Sequence, residues 1–309
     1  MRIRLSTLLV LCLALVATGV VVYIVDRGRP ADAPATTPAV LVGAGDIAEC
    51  STEGDEATAA LIDTVVAEHP NAVVFTAGDN VYQTGLDEEF AQCYDPSWGR
   101  HKVRTRPAVG NHDFGERMGG GYARYFGEAG GPFDRYYYSY ELGGWQIIVL
   151  NSECHRVGCS LDDSDGDQAE WLAAELAGSD ARCTLAIWHH PRWSSGRYGN
   201  NSDYGVFWDL LYEASAEIVV NGHEHLYERL APLSPDGDVD QARGIRQFTV
   251  GTGGGNLRGF QEDEILPASE ARGTDHGVLK LTLFPDRYDW EFIPVEGATF
   301  TDSGSGTCR

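Results

Sequence analysis

Apolar residues fall along this chain in two rhythms. Short, nearly continuous runs rich in β-branched residues predict buried strands: AVLVGAGD from Ala39, AVVFTAGD from Ala72, CTLAIWHHP from Cys183 and EIVVNGHEH from Glu217. Longer stretches with helical spacing lie between them: DEATAALIDTVVAEH from Asp55, LDEEFAQCY from Leu86, DQAEWLAAELAGS from Asp167 and GVFWDLLYEAS from Gly205. RPAVGNHD from Arg106 reads as a short strand running into a loop. YYYSYEL and WQIIVLNS read as an antiparallel pair turning at Gly143-Gly144. The C-terminal third is β-rich, with RQFTVGTGG, GVLKLTLF and RYDWEFIPV. This order predicts an α/β fold with a two-sheet core flanked by helices.

The first 26 residues follow another rule. Arg2 and Arg4 precede a stretch free of charge from Leu5 to Val25, long enough to cross a bilayer as a helix. Residues 1–26 are therefore expected to be a membrane anchor or a signal segment, and residues 27–38 a Pro/Ala/Thr linker. Residues 39–297 are expected to form the catalytic domain and 298–309 a C-terminal tail. The expectation is an exported protein, anchored to the outer face of the cytoplasmic membrane or secreted. Six of the seven cysteines lie beyond Cys12, an even number that favours disulfides in an exported chain. Composition leaves their pairing open, with Cys50–Cys93 preferred because both lie in loops near the ends of the first two strands. The net charge of −23 opposes nucleic acid and anionic lipid, so any membrane contact is expected through the N-terminal segment only.

The candidate chemistry lies at five strand ends: GAGD at Asp46, GDNVY from Gly78 to Tyr82, GNHD at Asn111 to Asp113, WHHP at His189 and His190, and GHEH at His223 to His225. Ligand sites in α/β sheets gather beyond the carboxyl ends of strands, so one sheet is expected to bring all five sets to one crevice. Carboxylates, an amide, imidazoles and a phenol, with no thiolate, suit two first-row metal ions. Two weaker motifs carry no such reading. Asp163 to Asp167 lacks the glutamate of a calcium loop and reads as a solvated turn. GTGGG at 251–255 lacks the GK[ST] of a phosphate loop and reads as a tight turn.

The order Asp, GDxxY, GNHD, HxP, GHxH resembles the calcineurin-like metallophosphoesterase superfamily, and within it the purple acid phosphatases. The resemblance covers roughly residues 40–295 and implies a four-layer α/β/β/α sandwich with two mixed β-sheets. It implies a phosphatase that hydrolyses small phosphomonoesters by water activated at two metals. Asp46, Tyr82 and His225 would hold the first metal, Asn111, His189 and His223 the second, and Asp79 would bridge them. The wider superfamily has Asp-x-His at the first motif, whereas Ala48 stands here, so the Tyr82 phenolate would replace that histidine. A phenolate implies Fe³⁺ at the first subsite, with Zn²⁺, Fe²⁺ or Mn²⁺ at the other; two divalent ions are the alternative. His112 would protonate the leaving group and Asp113 would orient His112. His190, Arg192 and Arg197 are expected to bind substrate. Where mammalian and plant purple acid phosphatases carry a further histidine after the HxP strand, this chain has Arg197-Tyr198-Gly199. A Mn²⁺ or Zn²⁺ phosphodiesterase or nucleotidase of the same fold is the second reading, and an inert surface binding protein the third.

Overall fold

The computed structural model describes residues 38–160 and 166–309. The expected anchor, nearly all of the linker and the acidic run Asp163 to Asp165 lie outside the described residues.

In chain order the strands are β1 (Ala39–Ala44), β2 (Ala48–Glu49), β3 (Val73–Ala77), β4 (Val81–Tyr82), β5 (Thr105–Ala108), β6 (Tyr138–Leu142), β7 (Trp145–Val149) and β8 (Cys183–Ile187). They continue with β9 (Ile218–Asn221), β10 (Tyr227–Leu230), β11 (Arg246–Val250), β12 (Ser269–Gly273), β13 (Gly277–Leu283), β14 (Arg287–Pro294) and β15 (Asp302–Thr307). The helices are α1 (Gly54–Glu68), the single turn α2 (Asp87–Glu89), α3 (Gly120–Phe126), α4 (Asp167–Gly178) and α5 (Gly205–Glu213).

Two sheets carry the core. The first has the order β15-β14-β13-β1-β3-β5, the second β12-β10-β11-β9-β8-β7-β6, and β2 and β4 form a separate parallel pair. Both sheets are mixed. β1, β3 and β5 run parallel while β13 joins β1 antiparallel. In the second sheet β7, β8, β9 and β11 run parallel, and β6 and β10 pair antiparallel at its flanks. Gly143 and Gly144, with φ of 61° and 85°, make the turn between β6 and β7.

Side-chain alternation explains why the strands read as unbroken apolar runs. Ile147, Leu185, Ile187, Ile218 and Val220 face one core, shared with Leu41, Val74 and Leu281 of the first sheet. Their neighbours Ile148, Ala186 and Val219 face a second core with Leu172 of α4 and Phe207, Trp208 and Leu211 of α5. Both faces of the second sheet are thus covered, which removes the polar half of the usual period-two pattern. α1 buries Ala59, Ile62 and Val65 against the first sheet. The layers are therefore helix, sheet, sheet and helix, as the resemblance implies.

Three findings amend the sequence reading. The five motif strands belong to two sheets, not one: β1, β3 and β5 lie in the first, β8 and β9 in the second. The segment expected as a tail carries β15, which pairs along β14 from Asp302 to Thr307. Its Asp302 accepts hydrogen bonds from Tyr227 and Arg229 of the second sheet at 2.7 Å each, and from Trp290 at 3.1 Å, so it ties the two sheets together. The six cysteines pair as Cys50–Cys93, Cys154–Cys159 and Cys183–Cys308, the first as preferred and the last anchoring the chain end to β8.

Candidate metal centre

The two sheets present their parallel strand ends to each other, and each supplies a different chemistry. Asp46, Asp79 and Asn111 follow β1, β3 and β5 of the first sheet, and Tyr82 lies in β4 just beyond Asp79; His189, His223 and His225 follow β8 and β9 of the second. Oxygen donors come from one side and imidazoles from the other.

Three of these residues, Asp46 (φ 58°), Asp79 (φ 48°) and His223 (φ 67°), adopt the left-handed backbone region. Non-glycine residues hold that conformation only where their surroundings enforce it, and such positions cluster at functional sites. The glycine of GNHD has its own reason: a Cβ on Gly110 would lie 2.2 Å from the Asp79 backbone nitrogen. Only glycine lets β5 deliver Asn111 so close to Asp79.

The donor atoms form two groups. In the first, the Tyr82 hydroxyl donates to Asp46 Oδ1 at 2.8 Å and lies 3.1 Å from His225 Nε2, which is itself 3.3 Å from Asp46 Oδ1. In the second, Asn111 Oδ1 lies 3.2 Å from His189 Nε2 and 3.1 Å from His223 Nδ1. Asp79 Oδ2 belongs to both, at 3.2 Å from Tyr82 Oη and 3.2 Å from His189 Nε2. Backbone carbonyls fix the rings: His189 Nδ1 donates to Ala77 at 2.8 Å and His225 Nδ1 to Asn256 at 2.7 Å. Each bond leaves Nε2 as the free donor atom facing the cluster.

Two buried carboxylates and the imidazoles around them set the charge of the cluster. Burial works against the Asp46 and Asp79 carboxylates, yet the neighbouring imidazoles hold both below the usual range. Burial depresses His189, but Asp79 and Asp46 push it up to about 10. Burial and the nearby His189 take His223 down to about 3. The Tyr82 phenol is raised well above its ordinary value by burial and by the same two carboxylates. Two carboxylates, a phenol, an amide oxygen and three imidazoles converge here, Asp46, Asp79 and His189 fully or almost fully buried. Positive charge shared among them relieves the repulsion between the two carboxylates and the cost of burying them. The residues present fit two metal ions.

The remaining predicted residues divide. His112 stands at the cluster: its backbone N–H donates to Asp79 Oδ1 at 2.8 Å and its ring lies 4.6 Å from the Tyr82 ring. Asp113 does not orient it. His112 Nδ1 bonds the Gln83 carbonyl at 2.8 Å, while buried Asp113 accepts from Gly110 N at 2.9 Å, Asn80 N at 3.1 Å and Asn80 Nδ2 at 2.9 Å. Asp113 thus joins the loops after β3 and β5, because the short turn aims its side chain inward as that of His112 faces outward. His190 packs behind the site, 4.1 Å from the His223 ring, stacked on Tyr204 and bonded to Ser152 Oγ at 2.8 Å; it offers substrate little surface. Its ligand atom also falls within 4.8 Å of those of His189 and His223. Arg192 lies on the Trp193 ring at 3.9 Å, with Asp209 of α5 as its charged neighbour, so packing accounts for it in place of substrate binding. Arg197 is exposed, and its backbone N–H bonds Glu224. Sequence reasoning missed Glu224, Asn256 and the Gln83 carbonyl; a single polar residue within a motif, or a backbone oxygen, carries no sequence signal of what it holds.

The family model for calcineurin-like phosphoesterases matches residues 40–227. The chain belongs to that family. Curated relatives of this phosphoesterase include purple acid phosphatase 15 of Arabidopsis thaliana, 27% identical over an alignment of 241 positions that covers 66% of this chain and 43% of the relative. Purple acid phosphatase 21 of the same plant is 31% identical over 47% of this chain and 34% of its own. The chain spans less than half the length of these relatives. Among solved structures, a purple acid phosphatase from yellow lupin (Lupinus luteus) seeds superposes with a TM-score of 0.68 at 17% identity, over 87% of this chain and 54% of that one. GAP50, the anchor in the inner membrane complex of Plasmodium, superposes at 0.65 with 14% identity, over 88% and 90%. At these identities the superpositions establish the metallophosphoesterase fold, which an enzyme and an anchor both use.

Proposed function

We propose that this phosphoesterase is an exported, binuclear metal-dependent phosphatase acting on phosphomonoesters. The observation that carries the proposal is the single Asp79 oxygen common to both donor groups. Asp46, Tyr82 and His225 would hold the first ion, Asn111, His189 and His223 the second, and Asp79 both. Tyr82 makes Fe³⁺ the expected first ion, with Zn²⁺, Fe²⁺ or Mn²⁺ as the second. When bound, the pair supplies positive charge that lowers the pKa of water and draws in phosphate oxygens.

The chain's own residues then divide the work. Hydrolysis breaks the bond between phosphorus and the ester oxygen, and that oxygen needs a proton. The Gln83 carbonyl accepts a hydrogen bond from His112 Nδ1–H, leaving Nε2 to carry and release a proton. Asp79 Oδ1 fixes the His112 backbone, so the acid and the bridging ligand keep one spacing. Three disulfides support export, since they persist in oxidising compartments.

The second reading, a phosphodiesterase or nucleotidase with two divalent ions, is the one in which Tyr82 serves only as packing against the His112 and His225 rings. Metal analysis of the native protein, with rates on p-nitrophenyl phosphate and its bis-ester, separates the two. Two metals per chain and faster monoester cleavage are expected. Preference for the bis-ester would replace the first reading by the second, and absence of bound metal would remove both.

A further inference from the structure

The loop that replaces the expected histidine is built onto the metal ligands. Glu224, fully buried between His223 and His225, accepts the backbone N–H of Arg197 at 3.0 Å and of Tyr198 at 2.6 Å. From the other flank Gln261 Nε2 donates to the Gly196 carbonyl at 3.1 Å and to that of Arg197 at 2.9 Å. Held this way, the Tyr198 ring lies nearly parallel over the His223 ring, with centroids 4.6 Å apart and planes at 29°. The ring is nonetheless 53% exposed, so a bound molecule can reach it. Arg258 completes the group. Its backbone N–H bonds the His225 carbonyl at 2.8 Å, and its Nη1 donates to the Tyr198 hydroxyl at 3.1 Å.

Two guanidinium carbons therefore border one tyrosine ring, Arg197 at 5.9 Å and Arg258 at 5.6 Å from its centroid. Neither enters an ion pair among the described residues, in a chain whose net charge is −23. Two cations with no ion pair among the described residues, beside the candidate metal centre, offer a place for an anionic substrate, and Arg258 faces only the buried Glu224 carboxylate from behind. Guanidinium suits the planar, two-point recognition of phosphate, and Arg258 spends one N–H on Tyr198, leaving the others free.

We propose that Arg197, Tyr198 and Arg258 form an anion subsite for a second phosphoryl group, so that the preferred substrates are diphosphates, including inorganic pyrophosphate and nucleoside di- and triphosphates. The proposal rests on the phosphatase reading and deepens it. In the reaction water adds to the phosphorus at the metal centre and the bridging P–O bond breaks. The departing group takes the proton from His112, and the water that attacked loses one, so one water is consumed and the products are two phosphates from pyrophosphate, or one phosphate and a shortened nucleotide from a nucleoside di- or triphosphate. The subsite holds the departing phosphate, whose negative charge grows as the bridge breaks, and stabilises that charge.

The test measures binding by calorimetry to the metal-loaded full chain, using methylenebisphosphonate and methylphosphonate, neither of which is hydrolysed. The wild type should prefer the bisphosphonate, and R197Q/R258Q should reduce that preference about tenfold, as expected for loss of charge-assisted contacts. R258K, which keeps the charge but not the two-point fork, should retain only part of it. R197Q alone, at an exposed side chain, gives the answer if the double variant does not fold. An unchanged ratio in a folded variant would overturn the subsite. Hydrolysis of p-nitrophenyl phosphate by the wild type, followed in parallel, keeps the two readings apart. No turnover with an intact preference would sink the phosphatase reading, while turnover with no preference would sink the subsite alone.

Discussion

The Tyr82 hydroxyl lies 3.2 Å from Asp79 Oδ2, the same oxygen that His189 Nε2 approaches at 3.2 Å. One carboxylate oxygen thus joins the group of Asp46, Tyr82 and His225 to the group of Asn111, His189 and His223. Removing it should therefore affect both groups at once. Asp79→Ala is expected to lower bound metal from two ions per chain to one or fewer, whereas Asn111→Ala should weaken only the second ion. Elemental analysis after dialysis distinguishes these outcomes, and a D79A protein that keeps both ions would end the shared-ligand reading.

Tyr82 is expected to decide the colour. The wild type reconstituted with iron should be purple, with a visible band that bleaches on reduction, and Tyr82→Phe should be colourless. The variant should also bind its first ion at least about 10–100-fold more weakly, the range seen when even an outer partner of a ligand is lost. A fully loaded, active and colourless wild type would instead favour two divalent ions.

His112 should matter in proportion to how badly the leaving group needs a proton. His112→Ala is expected to lower kcat by about 10²–10⁴ for alkyl phosphates and much less for p-nitrophenyl phosphate, whose phenolate leaves unaided. Metal content should hold, because the backbone N–H on Asp79 survives the substitution. Asp113→Ala should behave differently, losing stability through three unpaired donors without a change in leaving-group dependence. Equal dependence in both variants would return Asp113 to the role the sequence suggested.

Asp302 gives the pH dependence. Burial opposes its charge, but bonds from Arg229, Tyr227 and Trp290 hold its pKa below the ordinary carboxylate value. The native state therefore binds fewer protons than the unfolded chain near pH 4. The stability it contributes is present above the unfolded pKa of about 3.9 and drains as pH falls through the folded value. Asp302→Asn should cost about 1–2 kcal/mol at neutral pH and flatten the acid limb of the stability curve, measured by urea unfolding from about pH 3 to pH 7. An unchanged acid limb would show that Asp302 does not couple the sheets.

By itself the sequence determined the local facts. Apolar runs such as AVVFTAGD and CTLAIWHHP specified β3 and β8, helical spacing specified α1, α4 and α5, and the order of motifs specified the family and the seven candidate ligands. These were legible because strand period, helix period and donor type are properties of neighbouring residues. The two-residue strands β2 and β4, and β15 in the glycine- and serine-rich end, carry too few apolar residues to announce themselves. Only the tertiary structure decided which sheet each motif belongs to, that Gln83 and not Asp113 partners His112, that Arg192 lies on Trp193, and that Glu224 fastens Tyr198 over His223. Those facts depend on contacts between residues far apart in the chain, and a side chain's direction there is set by the packing of two sheets, which no short stretch of sequence encodes.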